Sequence, residues 1–131
     1  MKQSLVVLLI AGISVFGSLF SAIAESPMIK VGALFAVTGP SSFLGGPEAR
    51  TAEMLVEAIN AKGGVNGNKI QLVIKDTVGD PGKAISFAKQ LIEEEQVFAI
   101  IGPSTSGETL KIKKLCEDNK TILISCAAAE S

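Results

Sequence analysis

The sequence predicts an α/β domain built on a parallel sheet with flanking helices. Three observations carry that prediction. Apolar runs rich in β-branched residues alternate with stretches whose apolar residues recur at helical spacing. The links between them are short and hold glycine, proline, serine and aspartate. One run, "VFAIIG" (97–102), is almost continuously apolar, as a strand buried on both faces must be.

Taken in order, the chain opens on "MKQSLVVLLIAGISVFGSLFSAIA". Lys2 precedes an apolar and small stretch from Leu5 to Phe20, and Ala22-Ile23-Ala24 forms a small-x-small cleavage pattern. That order of regions reads as a secretory signal peptide over residues 1–24. An uncleaved anchor is the alternative, but the apolar core is a little short for the roughly 20 residues of a membrane span. No cysteine sits just after the cleavage site to carry a lipid. Residues 25–131 then form an exported chain, one unit more acidic for the loss of Lys2.

Strand one is expected over Met28–Val37, followed by the turn-like "TGPSSFLGG". A helix should run from about Pro47 to Ala61, with proline in its first turn and Ala52, Leu55, Val56 and Ile59 on one face. "KGGVNGN" ends it and makes the return. Lys69–Asp76 alternates as strand two, and Asp80 should cap a second helix over Pro81–Glu95, with Ile85, Ala88 and Ile92 buried. The run Glu93-Glu94-Glu95 suggests a metal only superficially, because three adjacent residues do not share a helix face; a solvated helix end is expected. After "VFAIIG" come a third helix, Ser106–Asn119, and strand four, "TILISC". A parallel strand normally leads into another helix, so "AAAES" directly after strand four suggests the leading piece of a longer protein, or a truncated product.

Composition removes several function classes. With 12 basic and 13 acidic residues there is no broad basic face for nucleic acid. There is no histidine, which excludes Ser-His-Asp and Cys-His catalysis and most zinc sites. No G-x-G-x-x-G is present. Nothing in the chain calls for a metal, a cofactor or an enzymatic activity. Cys116 and Cys126 allow one disulfide, but their places in a helix and at a strand end favour two buried free thiols.

The most informative loop is "IIGPSTSGET" (100–109). Gly102, Gly107 and Thr109 fall in register with the phosphate-binding pattern G-x-x-x-x-G-K-[ST], but Glu108 replaces the lysine. It would set a like charge against a polyphosphate, and Asp76 is only a loose candidate for a magnesium partner. Amide donors at a helix start, with the hydroxyls of Ser104, Thr105 and Ser106, suit a single carboxylate better. A serine-rich cap with no ligand is the plain alternative. In an open parallel sheet, ligands lie outside the carboxyl ends of the strands. "TGPSSFLGG", "GPSTSGE" and "CAAAE" should converge there as a shelf for a small molecule.

Four segments, "IKVGALFAVTGPSSFLG", "AEMLVEAINAKGGVNGNKIQLVIKDTVGDPGKA", "AIIGPSTSGET" and "ILISCAAA", resemble the type I periplasmic binding proteins. The resemblance is to the leucine/isoleucine/valine-binding branch that serves ABC importers, and it covers the whole mature chain. It implies two lobes closing on a ligand, of which residues 25–131 supply the N-terminal, incomplete part of lobe one. It implies a periplasmic protein without enzymatic activity or cofactor, whose partners are an amino acid or small carboxylate and the membrane permease of an ABC importer. The family's carboxylate-binding serine falls on Ser106, with Ser104 and Thr105 lining the same loop, and its backbone contact falls on Ala127. Where a hydroxyl usually helps hold the zwitterion this chain has Ala129, which widens the expected ligands to small carboxylates and amides, with branched-chain amino acids leading. An aromatic cover aligns with Leu44, beside Phe43. The disulfide pair of some members aligns with Gly79 and Thr105, so that bridge is missing, and Cys126 replaces a common proline. The other lobe would meet the ligand's ammonium group, so weak binding is expected of this part alone. A ligand-sensing domain of a receptor or regulator shares the fold; a signal peptide leading directly into the lobe favours transport.

Overall fold

The computed structural model describes residues 28–127. In chain order they form β1 (Ile29–Phe35), α1 (Ser42–Ala61), β2 (Ile70–Asp76), α2 (Pro81–Lys89), β3 (Ala99–Ile101), α3 (Ser106–Asp118) and β4 (Ile122–Ile124). A π turn, Gln90–Glu94, continues α2. The expected signal peptide and Ala129 lie outside the described residues.

The strands pair in parallel in the order β2-β1-β3-β4. Successive side chains of a strand point to opposite faces. Ala33, Leu34 and Phe35 are all buried, so both faces of β1 are covered. Leu34 and Ile100 face α2 and α3, packing with Ala84, Ala88, Leu91, Ile112 and Cys116. Ala33 and Phe35 face α1, with Ala49 buried and Leu72, Ile74 and Ile101 partly so. One helix therefore lies on one face and two on the other.

The edge strand shows the consequence. Ala33 pairs with Ile101 and Ile101 with Ile124, so Ile124 lies on the α1 face. The described α1 packs over β1 and β2, which leaves Ile122 and Ile124 48% and 58% exposed.

Sequence and structure differ at the start of α1. The helix begins at Ser42, not Pro47, and carries the proline inside its second turn. Gly45 and Gly46 look like breakers in sequence, yet a Cβ on Gly45 would fall 2.4 Å from the Ala36 carbonyl carbon. The glycine is there so that the first turn of α1 can lie directly on the backbone leaving β1. Pro47 removes one helical hydrogen bond near an exposed end, where that loss is tolerated.

Other local signals hold. Asp80 caps α2 by accepting from the Lys83 amide at 2.7 Å. Asn60 brackets the start of β2 through two 2.8 Å bonds with the Ile70 backbone. Glu93 and Glu94 are exposed, while Glu95 reaches Lys30 at 3.3 Å. The thiols correct the expectation in part: both are free and Cys116 is buried, but Cys126 is exposed. It follows an edge strand rather than a central one, so there is less structure to cover it.

Candidate functional site

The sheet order places a topological switch between β1 and β3. The chain leaves β1 toward one face and β3 toward the other, so the two loops part at the carboxyl ends, the place where ligands sit in open parallel sheets. The loop after β1, the 102–105 loop and the segment after β4 border it.

Gly102 starts the second of these loops at φ +95, where a Cβ would sit 2.2 Å from the Leu34 carbonyl oxygen. Its amide donates to the Ile124 carbonyl at 2.8 Å, which ties the loop to β4. Ser104 is 4% exposed. Its Oγ accepts from the Ala36 amide at 3.0 Å and donates to Glu48 Oε2 on α1. Of the three hydroxyls expected to meet a ligand, this one is already engaged, bonded to the segment after β1 and to α1.

Thr105 is the N-cap of α3 and forms a capping box with Glu108. The Glu108 amide donates to Thr105 Oγ1 at 3.4 Å, and Glu108 Oε2 accepts from the Thr105 hydroxyl at 2.6 Å and amide at 3.2 Å. Glu108 is fully buried, and its Oε1 is the one buried side-chain oxygen or nitrogen among the described residues without a partner. The residue that stands where a P-loop has lysine is thus a capping acid, leaving polyphosphate without a countercharge there.

Ser106 differs from both neighbours. It is the first residue of α3 and half-buried, and its hydroxyl has no hydrogen-bond partner among the described residues. The amides of Ser106 and Gly107 lie in the first turn, where a helix supplies no acceptor. A Cβ on Gly107 would meet nothing within 4 Å, so the approach is open. Two amides, one hydroxyl and the positive end of a 13-residue helix thus lie together, donors of the kind that a single anionic group accepts from.

The segment after β4 joins the same helix. The Ala127 amide donates to Ser125 Oγ at 3.0 Å, Ser125 lies 2.8 Å from Thr109 Oγ1, and Thr109 donates to the Thr105 carbonyl at 3.1 Å. The Ala127 amide is therefore directed to Ser125. Phe43 and Leu44, 74% and 39% exposed, lie on the first turn of α1 outside the core. Sequence reasoning missed Glu48, Ser125 and, as a structural tie, Thr109. The only signal was their occurrence at helix starts and strand ends near the loops it did select.

On the β2 side, Asp76 accepts from the Thr38 hydroxyl at 2.6 Å, the Thr38 amide at 3.2 Å and the Val78 amide at 3.0 Å. Desolvation opposes its charge, but these hydrogen bonds outweigh it and hold the carboxyl below the 3.8 of a free aspartate. A depressed folded-state pKa stabilises above the unfolded value and is lost as pH falls through the folded one. The denaturation midpoint should therefore fall more steeply below about pH 4 in wild type than in Asp76→Asn. Parallel acid profiles in urea titrations would count against the latch.

The sequence pattern of the periplasmic binding protein family matches residues 28–131. The chain belongs to that family. It is 43% identical over 105 residues to the Leu/Ile/Val-binding protein homolog 7 of Brucella suis, covering 80% of this chain and 26% of the relative. It is 36% identical over 109 residues to the Leu/Ile/Val-binding protein of Escherichia coli K12, covering 83% and 29%. Among solved structures, it superposes with a TM-score of 0.76 on the branched-chain amino acid transporter substrate binding protein LivJ of Streptococcus pneumoniae in complex with isoleucine, at 33% identity over 79% of this chain and 30% of that one. A solute binding protein of an ABC transporter from Rhodopseudomonas palustris, in complex with 3,4-dihydroxybenzoic acid, gives a TM-score of 0.68 at 28% identity, over 78% and 28%. The chain spans less than a third of the length of these relatives. The parallel four-stranded sheet and its flanking helices are part of the periplasmic binding protein fold.

Proposed function

We propose that this chain is the leading part of lobe one of an exported solute-binding protein. It would take a branched-chain amino acid, or a similar small carboxylate or amide, in the periplasm and deliver it to the membrane permease of an ABC importer. The observation that carries this reading is the Ser106 hydroxyl, without a partner among the described residues, together with the first-turn amides of Ser106 and Gly107 at the sheet's switch point. The relatives support the class of ligand: isoleucine and 3,4-dihydroxybenzoic acid, bound by two of the structural neighbours, each carry one carboxyl group. Ser106 then receives the carboxylate, Thr105 and Ser104 fix the loop that presents it, and the post-β4 segment with Ala127 borders the head group. Phe43 and Leu44 stand near the entrance as apolar cover, and Ala129 follows beyond the described residues. Much of a ligand's surface would be enclosed by the second lobe, so this part alone binds weakly.

Calorimetric titration of the full gene product with leucine, isoleucine, valine and 3,4-dihydroxybenzoate tests the reading. Ser106→Ala should cost about 1–3 kcal/mol of binding by leaving the carboxylate short of a donor. Unchanged affinity removes Ser106 from the site, and no heat with any of these ligands removes the proposed ligand class.

A further inference from the structure

We infer that Glu48, a residue with no part in the carboxylate contacts above, is the positioning residue of the site. It holds the loops after β1 and β3 at the spacing a ligand requires. The inference rests on the proposed reading of the switch point as a ligand site.

Glu48 lies half-buried on the second turn of α1, one turn from Gly45 and on the same side of the helix. Gly45 packs against the Ala36 backbone so closely that no side chain fits between them. Glu48 Oε2 accepts from Ser104 Oγ, 56 residues away in sequence, and the same Oγ accepts the Ala36 amide. Ala36 directly follows β1, and Ser104 stands two residues before Ser106. One carboxylate thus orients the hydroxyl that bridges the two loops of the switch point. A serine without this acceptor could rotate its proton elsewhere, and the Ala36 amide would lose an oriented partner. A hydrogen bond to a charged acceptor is stronger and more directional than a neutral one.

The third loop feels the same group. Partial burial of its sulfur, and then the Glu48 carboxylate, push the Cys126 thiol up, so Glu48 acts where the post-β4 segment also arrives. Among the described residues Glu48 is not hydrogen-bonded to Ser106; its bonded link to the site runs through Ser104.

The test is amide hydrogen exchange on the unliganded full gene product, followed by isoleucine titration of the same samples. Glu48→Ala should speed exchange of the Ala36 amide roughly tenfold and weaken isoleucine by a similar factor. Glu48→Gln keeps an oxygen acceptor for Ser104, a neutral and weaker one, and should place both readouts between alanine and wild type. The Ile29 amide, bonded to the Lys69 carbonyl at the far end of the sheet, should exchange as in wild type. Ser104→Ala reads the same contact should Glu48→Ala not fold. Unchanged Ala36 exchange, a glutamine variant no better than alanine, or equal acceleration at Ile29 overturns the proposal. Absence of isoleucine binding by wild type counts against the ligand reading, while the Ala36 exchange still decides the role of Glu48.

Discussion

Gly102→Ala is expected to destabilise the fold by about 2–5 kcal/mol, seen as a lowered urea midpoint of the full gene product. Two costs combine. The backbone at φ +95 lies where L side chains are strained, and the new methyl would sit 2.2 Å from the Leu34 carbonyl oxygen. That oxygen belongs to the central strand, so neither partner can move without disturbing the β1–β3 pairing. Relief by displacing the loop would break the Gly102 amide bond to Ile124 and shift Ser104 and Ser106 with it. Stability and ligand affinity should therefore fall together. Gly107→Ala is the control, since a Cβ there meets nothing and the residue is helical. Alanine at 107 should be neutral or mildly stabilising, by up to about 1 kcal/mol. Equal midpoints for the two variants would refute the close approach of Gly102 to β1.

Leu91→Ala should cost about 2–5 kcal/mol. Leu91 is fully exposed to the core and not at all to solvent, packing with Leu34, Ala88 and Ile100 at the π turn that ends α2. It also occupies the space above Gly32, where a Cβ would come within 2.8 Å of Leu91 Cδ1. Gly32→Ala alone should therefore destabilise by about 1–3 kcal/mol through overpacking. In the double variant the added methyl fills part of the cavity left by Leu91, so the two costs should not sum. A double-mutant cycle with strictly additive losses would show that the two positions are not in contact.

Much of the architecture was legible because its signals are local. The alternation of strand and helix, the Asp80 cap and the apolar run of β3 each follow from residues within one turn or one strand of each other. The start of α1 was not, because Gly45 answers to Ala36, which lies outside the helix. Cys126 was misjudged for a related reason: a strand's burial depends on whether it is central or an edge, which its own residues do not state. The candidate loop was visible as a serine-rich helix start, but its residue types alone did not separate the three hydroxyls; only the family resemblance pointed to Ser106. In the fold they divide, with Ser104 bonded to the segment after β1 and to α1, Thr105 in the cap, and Ser106 without a hydroxyl partner among the described residues.

What the sequence alone determined was the class of fold and its family resemblance, and it singled out the helix start where we propose that an anion binds. Periodicity, caps and turn residues act over a few positions and can be read along the chain. Only the tertiary structure decided which hydroxyl is available and which acid holds the loops. Those choices rest on bonds between residues 56 and 68 positions apart, and no local pattern records them because folding alone brings the partners within reach.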